Sequence, residues 1–400
     1  MRFAFIPSTG LVTLALLGGA GVTGCQSQAD SQPPAGHSTQ GADPPAEPAG
    51  DSAAVSTWVP RPILVEPDPR VVRAKLAADS ARADSVRAAV AADSAYADSV
   101  AKGIVPATAA RTKSARKPSG KEIRYELSAA DSALWPVKAP EPLPGSLLPE
   151  HRIVAFYGNS KSTRMGILGQ LPPEQMLPKL EHTATEWAKA DPGRKVMPAL
   201  HLIVTVAQGK PGADGGYRLR HSDASIEQVL GWAEERGWIV FLDVQTGWSS
   251  VEAELPRLVK YLERPYVHLA LDPEFAMKNG GVPGRRMGTM DAAEVNHAVR
   301  LLADIVDRKK LPPKVLVVHR FTQRMLTNHD RITLDPRVQV VVDMDGYGAP
   351  WHKKSAYKWF IVQQPVQYTG FKLFFKNDKP MMSPAQVIGL WPSPLYVQYQ

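Results

Sequence analysis

The chain has 400 residues, 44% hydrophobic and 22% charged, with a formal net charge of +8. Its basic residues are scattered and accompany no nucleic-acid reader motif, so nucleic acid is not an expected partner, and a mildly basic surface suits anionic head groups or wall polymers. One cysteine, Cys25, excludes an intramolecular disulfide.

In chain order, Met1-Arg2 and an apolar stretch centred on residues 11–17 lead to Val22-Thr23-Gly24-Cys25. This is the pattern of a short export signal ending in small residues. The last four residues resemble the lipobox of bacterial lipoproteins. The resemblance implies a signal peptide over 1–24, cleavage before Cys25 and acylation of that residue, so that membrane lipid is held through Cys25. Gln26 in place of aspartate implies an outer-membrane destination where the cell has one. The alternative is an uncleaved anchor: residues 3–23 just reach bilayer length if the Pro7-Ser8-Thr9-Gly10 break is ignored. Either way the rest of the chain is expected in the cell envelope, outside the cytoplasm.

Residues 25–70 are rich in Ala, Pro, Gly, Ser, Asp and Gln with little to bury, and read as a disordered tether. Over 71–120, Ala-Asp-Ser recurs at Ala78, Ala83, Ala92 and Ala97, and a basic link follows. The composition predicts a solvated helical stalk of about 45 Å at 1.5 Å per residue.

The remaining span, 121–400, is the length of one (β/α)8 barrel. A helical piece at 122–135 and a proline-rich run precede it. Eight β-branched and aromatic runs alternate with helical stretches: strand 1 at 153–157, strand 2 at 196–206, strand 3 at 238–245, strand 4 at 266–271, strand 5 at 314–319, strand 6 at 338–342, strand 7 at 371–375 and strand 8 at 396–398. Helix starts are expected at Pro172-Pro173, Ser225 and Asp291. Strands 3 to 6 are continuously apolar, as strands buried on both faces require. The sequence stops just after strand 8, so the outer face between strands 8 and 1 needs other cover, for which Ile123, Leu127, Leu134 and Trp135 are the nearest candidates. Two doubly wound domains are the alternative, but no dinucleotide fingerprint follows strand 1, and Gly209 to Gly216 lacks the lysine and hydroxyl of a P-loop. No cofactor is expected, and a monomer is.

Barrel chemistry sits at the carboxyl ends of the strands. Residues two apart share a face. Asp272 and Glu274 are thereby expected together on strand 4, Asp243 and Gln245 on strand 3, and Asp343 and Asp345 on strand 6. Tyr157 and Asn159 join them from strand 1, His319 from strand 5, Lys376 from strand 7 and Tyr396 from strand 8. Trp248, Phe275, Tyr347 and Trp351 follow in the loops, flat faces suited to sugar rings. So many acids around one mouth imply a raised pKa or a bound cation.

Asp272-Pro273-Glu274 is similar to the D-x-E closing strand 4 in chitinases and Chalaropsis-type muramidases. That resemblance implies Glu274 as the proton donor, Asp272 as its orienting partner and a glycan polymer as substrate; Asp243 and Asp343, placed by strand alternation, are the further catalytic candidates. His268, Leu269 and Ala270 stand where chitinases carry further acids, and Lys376-Asn377 stands where many retaining barrels carry a nucleophilic glutamate. The phrases F-Y-G-N, M-G-I-L-G and H-L-A-L-D-P-E-F are also similar to those of uncharacterised bacterial envelope proteins. Two further readings stay open. A noncatalytic glycan-binding barrel keeps the same aromatics. A metal-dependent hydrolase would use Asp243, Glu274, Asp343 and His319, without any H-x-H or H-E-x-x-H spacing; no metal is assigned.

Overall fold

The computed structural model describes residues 58–69, 73, 77, 80, 81, 84 and 126–400. Cys25, most of the tether and almost all of the stalk lie outside the described residues. Among the described residues no helix is long and apolar enough to cross a membrane.

Eight parallel strands close into a barrel with helices between them: β1 (His151–Gly158), β2 (Lys195–Ala207), β3 (Ile239–Val244), β4 (Val267–Leu271), β5 (Lys314–Arg320), β6 (Val338–Met344), β7 (Tyr368–Leu373) and β8 (Tyr396–Tyr399). Closure is by β8 against β1, with Ala155 opposite Gln398, and by β1 against β2, with Tyr157 opposite His201. The strands are buried almost end to end, which is why their sequences read as apolar runs. A short ninth strand, Arg218–Arg220, adds antiparallel to the end of β2.

The longest helices are α1 (Pro173–Ala190), α2 (Asp223–Glu234) and α3 (Ala292–Lys309). Asp291 and Glu294 form a capping box on α3. The cap of α2 is Ser222, which accepts from Ser225 N–H, and not Ser225 itself, because Asp223 and Ala224 already form the first turn. Pro256 lacks an N–H and breaks the stretch Val251–Leu262 into two α turns around a 3-10 turn. Between β5 and β6 no α-helix forms, only 3-10 turns and a two-residue strand, Leu326–Thr327, paired with Met290–Asp291. α4 (Pro350–Tyr357) runs into a π turn at Lys358–Val362, and α5 (Pro384–Ile388) precedes β8.

Strand 7 lies three residues earlier than its apolar run suggests. Tyr368 and Thr369 pair with Val341 and Val342, so β7 ends at Leu373. Lys372 thereby takes the inward position expected of Lys376, which is exposed in the following turn.

The cover between β8 and β1 comes from α1: Trp187 is fully buried, and its indole N–H donates to Tyr399 Oη at 2.9 Å. Among the described residues the helical piece before β1 is a single turn, Ala129–Ala133, docked elsewhere, and Ile123 lies outside those residues. Trp135 Nε1 donates to Val362 O at 2.9 Å, Gln363 Nε2 donates to Asp131, and Trp391 Nε1 donates to Ser132 O. Trp135 is buried at 8% exposure while Leu134 is 42% exposed. Within the span read as tether, residues 58–65 lie on the barrel: Ile63 bridges Val196, Arg61 N–H donates to Gly237 O, and Trp58 stacks on Tyr266.

Trp135→Ala should therefore cost about 3–5 kcal/mol of unfolding free energy in urea, whereas Leu134→Ala should stay within about 1 kcal/mol. Equal losses would remove Trp135 from its anchoring role.

Candidate functional site

At the carboxyl ends of the strands, polar side chains meet above an apolar floor in which Phe241 stacks on His201 and packs edge-on against Tyr396. Asp243 on β3 is fully buried. Its Oδ2 accepts from His201 Nε2 at 3.1 Å and lies 3.3 Å from His319 Nε2. The other ring nitrogen of His319 is 3.3 Å from Oδ2 of both Asp343 and Asp345, so these two acids share a face as β6 alternation requires. Lys372 on β7 binds Asp345 at 3.0 Å and sits over the Tyr157 ring at 3.7 Å. Gly370 makes room for Asp343: a β-carbon there would stand 2.6 Å from Asp343 Oδ1.

A second set lies beside Tyr157. Gln245 donates to Asp272 Oδ2 at 3.2 Å and to Tyr157 Oη at 3.3 Å, while its own Oε1 accepts from Ala207 N–H. β4 ends at Leu271, and Pro273 starts a 3-10 turn, so Asp272 and Glu274 are not related by strand alternation. Asp272 Oδ1 instead accepts the Glu274 N–H at 3.1 Å and fixes that turn. Asp272 is buried, and Glu274 is partly exposed at the mouth.

Burial pushes the Glu274 carboxyl up to about 8, and the Asp272 and Asp345 charges add to this. Burial likewise raises Asp272, to about 7, and Asp345. Asp243 goes the other way. Its burial opposes ionisation, but the charge of His319 and the hydrogen bond from His201 outweigh it and hold Asp243 well below the usual carboxylate range. His319, although buried, is raised well above its ordinary value by the surrounding carboxylates, whereas burial lowers His201 to about 4. The site thus sets a buried Asp243 held ionised by its imidazole neighbours apart from a carboxyl at the mouth that is pushed towards its protonated form.

Aromatic faces stand around this mouth. Tyr217 and Trp248 stack at 4.6 Å, with Trp248 half exposed. Their loops are joined where Trp248 N–H donates to Gly216 O, and the left-handed Gly247 (φ 60°) allows this because a β-carbon would meet Gly216 O at 2.7 Å. Buried Glu254 braces the same loops through Arg218, Arg220 and Ser249. On the other side Tyr347, 64% exposed, packs edge-on against Phe374, and Trp351 opens α4.

Of the residues expected at the site, Tyr157, Asp243, Gln245, Asp272, His319, Asp343, Asp345 and Tyr396 converge, Glu274 lies at their edge, and Trp248, Tyr347 and Trp351 lie on loops at the same end. Asn159 does not join them: it accepts from Lys161 N–H and braces its own loop. His201 and Lys372 were not expected. Each is a polar residue inside an apolar strand, and the period of two places His201 inward with Ile203 and Thr205. Two surface hollows, of about 520 and 400 Å³, lie elsewhere: one beside Asp223 and Lys260, the other between Trp135 and Trp391.

No family model matches the chain, and no curated protein matches it. Among solved structures, the chain is similar to the clostridial cellulose synthase subunit Z from Clostridioides difficile, at 10% identity and a TM-score of 0.26 over 49% of this chain. It is also similar to a ruminal GH26 endo-β-1,4-mannanase, at 11% identity and a TM-score of 0.32 over 62% of this chain. The matches span 62% and 58% of those two chains.

The raised Glu274 sets a pH dependence. A carboxyl whose folded pKa lies above its unfolded value stabilises the fold fully below the unfolded value, near 4.5, and loses that contribution as pH rises through about 8. Between pH 5 and 9 the wild type should lose on the order of 2 kcal/mol relative to Glu274→Gln, allowing for screening at the partly open mouth. Parallel urea stabilities for the two proteins across that range would show that Glu274 is an ordinary surface acid.

Proposed function

We propose that this barrel is an exported, lipid-anchored glycoside hydrolase acting on a cell-wall or extracellular polymer that contains N-acetylhexosamine. The observation that carries the reading is the place of Glu274, a partly exposed carboxyl on the Pro273 turn at the mouth above buried acids, where burial raises it above the usual carboxylate range. A protonated carboxyl in that position is suited to give its proton to a glycosidic oxygen as the bond to the sugar breaks. Asp272 acts through Glu274, since its two oxygens are taken by Glu274 N–H and Gln245. Tyr217, Trp248, Tyr347 and Trp351 offer stacking faces for the rings on either side of the scissile bond. The Asp272-Pro273-Glu274 resemblance supports the same assignment. Lipid anchoring rests on the lipobox-like Val22-Thr23-Gly24-Cys25.

One observation favours a second reading, a barrel that binds glycan without cleaving it: the exposed Tyr217–Trp248 stack is braced by Glu254 and needs none of the acids.

Incubation with peptidoglycan, chitin oligomers and neutral glucans separates the two. Cleavage should release reducing ends, and Glu274→Gln should lower kcat by about 10²–10⁴ with glycan affinity nearly unchanged. Retention on a polymer with no released ends, lost on Trp248→Ala, would replace the enzyme by the binding protein. In the producing cell a fatty-acid analogue should label the wild type and not Cys25→Ser; label on the variant ends the anchoring proposal.

A further inference from the structure

We propose that His201, Asp243 and His319 bind a first-row transition metal ion of the zinc class inside the barrel. Their donor atoms, one from each of β2, β3 and β5, all lie within 4.8 Å of one another, and all three side chains are fully buried. Around a tetrahedral ion with bonds of about 2.0–2.1 Å, neighbouring donor atoms stand about 3.3 Å apart. Asp243 Oδ2 is 3.1 Å from His201 Nε2 and 3.3 Å from His319 Nε2.

A charge pair without metal gives similar distances, but two features favour the ion. First, neither ring nitrogen of His319 makes a hydrogen bond, despite carboxylate oxygens at 3.3 Å on both sides, and Asp243 Oδ1 has no partner either. Buried polar atoms at that spacing without hydrogen-bond direction fit donors that share a centre better than groups that bond to each other. Second, the outward nitrogens of both imidazoles face acceptors, as metal-bound histidines require. With Nε2 on the ion, the Nδ1–H of His201 donates to Tyr396 Oη at 2.6 Å; Gln398 Nε2 donates to the same oxygen at 2.9 Å and lies 3.1 Å from Nδ1. His319 Nδ1 faces Asp343 and Asp345. A divalent cation would also offset the concentration of buried carboxylate from Asp243, Asp343 and Asp345, which Lys372 meets at Asp345.

The ion lies beneath the Tyr157 ring, whose centre is 5.2 Å from His201 and 6.0 Å from His319. It therefore holds β2, β3 and β5 in register under the mouth and takes no part as the proton donor. This set shares Asp243 and His319 with the metal reading drawn from sequence and replaces Glu274 and Asp343 by His201.

The test is metal content of the full chain, with no substrate present. After gel filtration from zinc-supplemented medium, the protein should carry about one equivalent of zinc, and zinc chloride at about 100 times Kd should raise the melting temperature of the stripped protein by roughly 5–10 °C. Cobalt in its place should give the visible absorption of a tetrahedral nitrogen and oxygen site. His201→Phe, which keeps the stack on Phe241, should lose the ion, and Glu274→Gln should keep it. Less than about a tenth of an equivalent in the wild type, with no cobalt spectrum, overturns the proposal. A thiolate charge-transfer band also overturns it, since Cys25 alone could supply one. A protein that keeps the ion but cleaves no glycan counts against the reaction proposed above and not against the metal.

Discussion

The upper half of this barrel depends on one interaction, the buried contact of Asp243 with the two imidazoles of His201 and His319. Removing ions from water costs several kcal/mol each unless partners replace the solvent. Here the replacement is reciprocal: Asp243 faces His319, His319 faces Asp343 and Asp345, and Asp345 is held by Lys372. The members come from five strands, Asp343 and Asp345 both from the end of β6, so the set forms only when β2, β3, β5, β6 and β7 are in register. Loss of one partner would strand a charge in an apolar surround, which makes the set a lock on that register as well as a source of field.

That field explains why two neighbouring acids behave oppositely. Asp243 meets imidazole and ionises readily, whereas Asp272 and Glu274 sit one strand over in a surround that desolvates them, with the charges of Asp243 and Asp345 acting on Asp272 and those of Asp272 and Asp345 on Glu274. A proton at the mouth is thus favoured first by desolvation and then by the neighbouring carboxylates of Asp272 and Asp345. The Pro273 turn matters for the same reason. By ending β4 early it swings Glu274 outward while Asp272, tied to Gln245, stays in. Strict strand alternation would have put both acids on one face.

The architecture was legible in the sequence because strands buried on both faces leave an unmistakable apolar record. β2, β5 and α3 fall where they were read, and Asp243, His319 and Asp343 converge as the period of two demands. Two kinds of residue escaped. Lys372 was misplaced because Phe371-Lys372-Leu373-Phe374-Phe375 is apolar beyond the strand's end, and only the pairing of Tyr368 with Val341 fixes the frame. His201 was passed over because it lies mid-strand, and a rule that looks for function at the carboxyl ends discounts the middle. Asn159 follows β1 at the right spacing, and its side-chain oxygen accepts from Lys161 N–H within its own loop.

A polar residue in the middle of a barrel strand is therefore the stronger signal when its neighbours offer complementary groups at the same height. Tyr157 stands opposite His201 in the β1–β2 register, and Phe241, two residues before Asp243, stands opposite it on β3. Once β2 and β3 pair in that frame, the imidazole edge falls on the next inward side chain up, which is Asp243. Had position 243 been apolar, His201 would read as an interior histidine satisfied by Tyr396. The acid above it turns the same ring into half of a two-imidazole clamp, and the third member, His319, is already fixed by β5. The charge state of Asp243 is thus set from two sides, by His319 facing it from β5 and by the hydrogen bond from His201 beneath it.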